Sequence, residues 1–396
     1  MLADSWLITM ELPDKFAKKT MKYTLLLLLL VAGSGCTKVI RPGHPGSGGE
    51  SGNAPSPIQV FTGMYEESYL LRNDSLWVIG TNPDGQFGLG NTTNVDSWTL
   101  TMTDVQTVSP GFYQTLVLKK DGSVWAAGGN EAGELGDGTT TTSLTWKMVM
   151  TGVLSISAGY EMSFFIKSDH SLWGVADNQD WATVNGLGLH KIMDSVQSVA
   201  GGTDAVLIIK MDNTLWGLGH NTDWEFGNAF TVDTETDTPI ALMTNVSAVA
   251  LSGYYSLVLK TDGTLWASGD DAIGQLGVPD APLYYTMVLS NVKAIAAGYA
   301  TSMAIKNDST LWVSGDNSEG TLGDSLGGPG GPEQAAYGFK QVLTGIASGS
   351  VEGRTLLVVR GDNTVWGAGT NSDWNLGVDP VSAPYVVSFR KVVVPD

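Results

Sequence analysis

The chain has 396 residues, of which 50 are Gly and only 15% are charged, so a turn-rich fold with a largely neutral polar surface is expected. Forty acidic against 21 basic residues give a net charge of −19, which argues against nucleic acid as a partner, because phosphate binding needs a basic footprint. One Cys and four His exclude a disulfide scaffold and a thiolate metal cluster, and leave little for His-based acid–base chemistry. No metal and no cofactor are expected, and the composition points to binding rather than catalysis.

Residues 1–36 read as an export segment. Met21-Lys22 precedes the apolar run Leu25 to Ala32, and Gly33-Ser34-Gly35-Cys36 follows. That order is a short basic region, a hydrophobic core too short for a permanent membrane span, and small residues ahead of a cleavage point. Residues 1–20 lie ahead of what looks like a natural start at Met21. Cys36, the single Cys, stands where a bacterial lipoprotein signal places its lipidated residue; the segment resembles a lipobox, with Gly33 in place of the usual aliphatic residue. A diacyl or triacyl Cys36 would anchor the chain stably. Residues 37–56 are Gly-, Pro- and Ser-rich and read as a flexible tether for a head spanning 57–396.

From residue 57 onward the sequence repeats itself. Trp77, Trp125, Trp173, Trp216, Trp266, Trp312 and Trp366 recur at intervals of 43 to 54 residues, the spacing of a propeller or solenoid. Each unit opens with a small hydrophobic strand, as in Val292-Lys-Ala-Ile-Ala-Ala-Gly298. A strand of alternating pattern and a hairpin turn follow, as in Ser256-Leu-Val-Leu-Lys-Thr-Asp262-Gly263-Thr-Leu-Trp266. Asp-Gly between two strand patterns is a strong hairpin signal, since Gly accepts positive φ at little cost. The unit then carries a Gly-rich turn, such as Gly129-Asn-Glu-Ala-Gly133-Glu-Leu-Gly136 or Gly269-Asp-Asp-Ala-Ile-Gly274-Gln-Leu-Gly277.

This combination resembles the repeat of the regulator of chromosome condensation family over the whole of 57–396. The resemblance implies an all-β, seven-bladed β-propeller with four short strands per blade. The physics agrees, because one unit cannot bury its own faces and closure into a ring protects strand edges. The terminal segments Pro57 to Gly63 and Tyr385 to Val394 each look like half a unit, so the two ends are expected to share one blade. The family includes exchange factors for a nuclear GTPase, a partner that an exported acidic chain would not meet.

The repeat Trp residues are expected to form core between blades. The hairpin-end bases Arg72, Lys119, Lys167, Lys210, Lys260, Lys306 and Arg360 are expected to ring one rim and to pair locally with the turn acids. Gly323-Asp-Ser325-Leu-Gly327 matches a nucleophile elbow only by chance, because no His follows His220 in the chain. Two aromatic sets are the candidate partner-binding residues. Tyr65, Phe112, Tyr113, Tyr160, Tyr254, Tyr255 and Tyr299 follow the Gly of the first strand, where loops open on one face. Trp181, Trp224 and Trp374 stand in Asp-Trp tips that replace the middle Gly of the turn. Tyr and Trp bury large area at low entropy cost and keep a polar handle.

The sequence thus predicts a monomeric binding module without catalytic residues, lipid-anchored to the cell envelope, with the outer membrane as the expected site, presenting aromatic loops to a protein there. A glycan-binding or glycan-active envelope protein, or a structural or adhesion protein, is the alternative.

Overall fold

The computed structural model describes residues 57–176, 188–227, 236–278 and 284–395. The expected leader, tether, Cys36 and Trp181 lie outside these residues. Seven four-stranded antiparallel sheets make up the described chain, with no helix among the described residues. They occupy residues 59–102, 105–150, 153–193, 196–243, 246–289, 292–343 and 346–392, taken below as blades 1 to 7. Within every blade the strands pair in chain order, first to fourth.

The first strands form the inner wall. Each lies against the first strands of both neighbours, and the first strand of blade 1 lies against those of blades 2 and 7, so the ring is closed. The second strands are buried along their first five residues in all seven blades and end on a half-buried Lys or Arg. The alternating burial expected for this strand is therefore absent. Blades stack face to face, so both faces of the strand meet apolar neighbours. The fourth strands, such as Val95–Met102, are largely half-buried or exposed and form the rim.

Seven hydrophobic clusters fill the ring, one at each junction between consecutive blades. Tyr69, Phe87 and Val117 join blades 1 and 2, and Phe164, Val196 and Leu218 join blades 3 and 4. The junction of blades 7 and 1 holds Val60, Leu70, Leu357 and Val392. Burial at these interfaces, not within any one sheet, is what makes the repeat stable.

The shared blade expected from the termini does not occur. Gln59–Thr62 pairs with its own second strand, and Tyr385–Val392 pairs with Val365–Thr370 of its own blade. The repeat is in phase with the blades, so the C-terminal strand looked unfinished only because it is the last strand of blade 7. Closure uses the device found elsewhere in the ring. Ser109 Oγ accepts from Ala158 N at 3.0 Å, Ser157 Oγ from Gly201 N at 3.2 Å, and Ser350 Oγ from Thr62 N at 3.1 Å. Arg72 adds a guanidinium bond to the Pro395 carbonyl.

Candidate binding face

Strand polarity gives the ring two unlike faces. On one side lie the hairpins between second and third strands, and the next blade starts beside them, as Val153 N bonding Gly122 O shows at 3.0 Å. In six blades the hairpin Asp binds a hydroxyl two residues on, and that hydroxyl accepts from the Trp indole. Asp262 Oδ1, Thr264 Oγ1 and Trp266 Nε1 are linked at 2.6 and 2.9 Å. Asp121, Asp169, Asp212, Asp262, Asp308 and Asp362 are all held below the ordinary carboxyl range by these hydrogen bonds from Ser or Thr.

The Trp side chains are half-buried where they meet the preceding blade, and the hairpin base covers the remaining ring face. Lys306 Nζ stands 3.9 Å from the Trp312 centroid and Lys167 Nζ 4.3 Å from that of Trp173. Cation–π stacking therefore occupies six of these bases. Among them only Lys119 forms a described ion pair, with Asp104 at 3.9 Å, so pairing with the turn acids is not their main role.

The other side carries the loops between first and second strands together with the Gly-rich turns. In blade 2 a short bond from Gly111 N to Gln114 O (2.7 Å) leaves Phe112 and Tyr113 as a two-residue loop. Blade 1 is one residue longer, with Gly63 N to Glu67 O at 2.9 Å enclosing Met64, Tyr65 and Glu66. Among the described residues, six of these loops are tied to the Gly-rich turn of their own blade, as Gly129 N to Tyr113 O and Asp270 N to Tyr254 O show, both at 2.9 Å.

The candidate aromatics fall into two groups rather than one ring. Tyr65, Phe112, Tyr113 and Tyr160 pack together across blades 1 to 3, with centroids 4.4 to 6.3 Å apart. Tyr254 and Tyr299 meet edge to face at 6.0 Å across blades 5 and 6. Blades 4 and 7 carry Thr203-Asp204 and Gly353-Arg354 at the same place and separate the groups. Five of the tyrosines are half-buried, and the hydroxyls of Tyr113 and Tyr160 lie 3.4 Å apart.

Two expected binding residues are core instead. Phe112 is 1% exposed and forms the floor of the first group. Tyr255, 0% exposed, begins its second strand and donates its hydroxyl to the Gly298 and Thr301 carbonyls of blade 6 at 3.0 Å. Trp224 and Trp374 stand half-buried in turns at φ of 60° and 68°, where other blades place Gly. Ser325 of the rejected elbow lies in a bend two residues past the last Gly of the blade 6 turn, with its N–H on Val387 O at 2.8 Å.

Carboxylates surround both groups, which the sequence reading did not single out. A cavity of about 240 Å³ beside Tyr113 is lined by Asp84, Glu131, Glu134, Thr142 and Glu161. Asp84 is raised above its ordinary range by burial and then by the nearby Glu131. Glu66 is pushed up to about 7, by burial first and then by Asp373 and Glu319. The Tyr254 phenol is raised by burial, then by Tyr299, Asp223, Asp204 and Asp270. Glu134 and Glu225 are also structural: Glu134 accepts from Ala132 N at 3.0 Å and Glu225 from Asp223 N at 3.1 Å, the place of Gln86 and Gln275 in other turns. Aligning the turns was the available signal for part of this set, since Asp84, Asp223 and Asp373 stand just before the middle position and Glu134 and Glu225 just after it, whereas Glu66, Glu161 and Asp204 lie in the loops between first and second strands. Among the described residues no three His, Cys, Asp or Glu side chains converge as metal ligands.

Comparison with known proteins places this geometry. Residues 292–321 match the regulator of chromosome condensation (RCC1) repeat. No curated protein sequence matches the chain. Among solved structures, Prp20p of Saccharomyces cerevisiae, described with its binding to Gsp1p and histones, is similar at TM-score 0.71 and 16% identity, over 85% of this chain and 86% of that one. Yeast RCC1 (Prp20) with Kap60 bound gives TM-score 0.70 at 16% identity over 90% and 91%. Human WBSCR16 gives 0.62 at 19% identity over 81% and 96%. The chain is therefore a seven-bladed β-propeller that shares its fold with these solved propellers, and its residues 292–321 match an RCC1 repeat.

Proposed function

We propose that the chain is an envelope-anchored binding module, held through a lipidated Cys36, whose head presents the half-buried tyrosines of one face to a protein partner and catalyses no reaction. The observation that carries this reading is the grouping of Tyr65, Tyr113 and Tyr160 across three blades over a buried Phe112. Rigid aromatic side chains fixed by a closed ring lose little entropy on docking, and their hydroxyls supply directional contacts. The opposite face offers less, because its cations are engaged with their own indoles. Binding of Gsp1p and histones by Prp20p agrees with a binding role for this architecture, although fold alone does not assign a partner.

The test uses the full chain as bait in the envelopes of its own cells. Partner capture is expected from the native chain and lost from a variant with Ala at Tyr113, Tyr160, Tyr254 and Tyr299 that retains its thermal transition. Equal capture by both overturns the reading. Incorporation of an alkyne-tagged fatty acid that disappears in Cys36→Ser tests the anchor, and labelling that persists in Cys36→Ser refutes it.

A further inference from the structure

The two faces differ in charge as well as in shape. Six cations of the hairpin face stack on tryptophans of that same face. On the tyrosine face the inner loops hold one cation, Arg354, and Glu319 and Asp316 already engage it. Around Tyr113 the cavity is walled by Asp84, Glu131, Glu134 and Glu161, with no Lys or Arg in its lining. Around Tyr254 stand Asp204, Asp223 and Asp270. The carboxyl groups of Asp84 and Asp223 are raised by burial and then by an acidic neighbour, Glu131 and Asp270 respectively. Asp84 beside Glu131 and Asp223 beside Asp270 each hold a half-buried carboxyl next to a like charge, an arrangement that an arriving cation would relieve.

We propose that the segment received by this face is a cationic stretch of polypeptide, and that one of its Lys or Arg side chains enters the cavity beside Tyr113. The proposal rests on the reading of this face as the binding surface. At about 240 Å³ the cavity holds several times the ~30 Å³ share of one water, room for the end of a long side chain. Asp84, Glu131 and Glu161 meet its charge, and the Tyr113 ring offers a π-face to the cation or its stem. The neighbouring rings of Tyr65 and Tyr160, with centroids 6.3 and 5.6 Å from that of Tyr113, extend an apolar platform for the adjoining residues. A nucleic acid or an anionic lipid surface would meet repulsion from the same carboxylates.

The probe is a short fluorescent peptide of alternating Lys and Ser, compared with its Gln-for-Lys analogue by anisotropy against the full chain in detergent. The Lys peptide is expected to bind at least about tenfold more tightly than the analogue, and less tightly at high salt. Glu131→Gln with Glu161→Gln is expected to weaken it about tenfold. Asp104→Asn with Asp194→Asn removes the same charge in the strand-four turns of the hairpin face, and is expected to leave affinity within about twofold. If the two pairs weaken binding equally, net charge alone attracts the peptide and the cavity proposal is wrong. If Tyr113→Ala and Tyr160→Ala abolish binding while Glu131→Gln with Glu161→Gln does not, the tyrosine face stands and the cationic partner falls. If the Glu pair matters and the tyrosines do not, the cavity stands without the aromatic reading. Spermine competing as strongly as the peptide, charge for charge, would contradict the assignment to polypeptide.

Discussion

Glu67 shows how one residue can depart from a sevenfold pattern. The same position in blade 2 is Gln114, whose amide donates to the Gly159 and Met162 carbonyls of blade 3 at 3.3 and 3.1 Å and whose oxygen accepts from Tyr113 N at 3.3 Å. Tyr255 fills the position in blade 5 and donates to the corresponding pair. Glu67 is 1% exposed, and its Oε2 has no hydrogen-bond partner. Burial, with Asp84 and Glu66 nearby, pushes its carboxyl up to about 8. Because the folded value lies above the ordinary 4.5, the folded state holds the proton more tightly and stability declines as pH rises between those values. Glu225, pushed up to about 8 mainly by burial, acts in the same direction. Glu67→Gln is expected to raise the melting temperature by several degrees above pH 8 and to change it little near pH 5. An equal effect at both pH values in calorimetry would remove this account of Glu67.

The tyrosines divide along the same line of legibility. The sequence put Tyr65, Tyr113, Tyr160, Tyr254 and Tyr299 in loops on one face, because a Gly ending one strand marks where the loop begins. It could not separate Phe112 and Tyr255 from them, since one residue of register decides whether an aromatic points into the blade junction or over the loop. Three of the cavity acids, Asp84, Glu131 and Glu134, were present in the turns and Glu161 in an inner loop, but their convergence depends on adjacent blades, and distances between blades are not written in a repeat.

At the scale of the hairpin, a local motif rather than the core fixes the strand ends. The Asp carboxylate accepts from the backbone and hydroxyl of the residue two positions on, and that hydroxyl accepts from the indole, as Asp308, Thr310 and Trp312 show at 3.0, 2.6 and 2.9 Å. The residue between takes positive φ in all six: Gly122, His170, Asn213, Gly263, Ser309 and Asn363. The sequence signal was therefore an Asp followed by a residue tolerant of the left-handed region, of which Asp-Gly is the plainest form. Thr264→Val keeps the branched shape but leaves the Trp266 indole without its acceptor. It is expected to cost about 1 kcal/mol in urea unfolding, whereas Thr264→Ser should be nearly neutral, because Ser serves this place in blades 2 and 3. A Val variant as stable as the native chain would show the chain of hydrogen bonds to be incidental.

For the whole molecule, sevenfold repetition made the propeller readable, while the way it closes was not. The two chain ends resemble half-units whether they complete each other or simply begin and end complete blades, and only strand pairing separates the cases. With the repeat in phase, the closing junction is an ordinary one, held by the apolar cluster of Val60, Leu70, Leu357 and Val392 and by Ser350. Ser350→Ala should therefore destabilise the head by about 1–2 kcal/mol, as much as Ser157→Ala, since each orphans one buried backbone N–H. A much smaller loss at Ser350, measured in the same denaturant series, would mean that the junction of blades 7 and 1 is open in solution.

The division into a tyrosine–carboxylate face and a hairpin face of self-engaged cations is the claim on which the functional account stands. Site-specific photo-crosslinking in native envelopes tests it most directly, with a photoreactive phenylalanine placed in turn at Tyr65, Tyr160 and Tyr299 and, opposite, at Met211, Thr261 and Asn307. The account predicts crosslinks to one protein from the first three positions and none from the second three. The same adduct from the hairpin positions alone, or from all six equally, would contradict it.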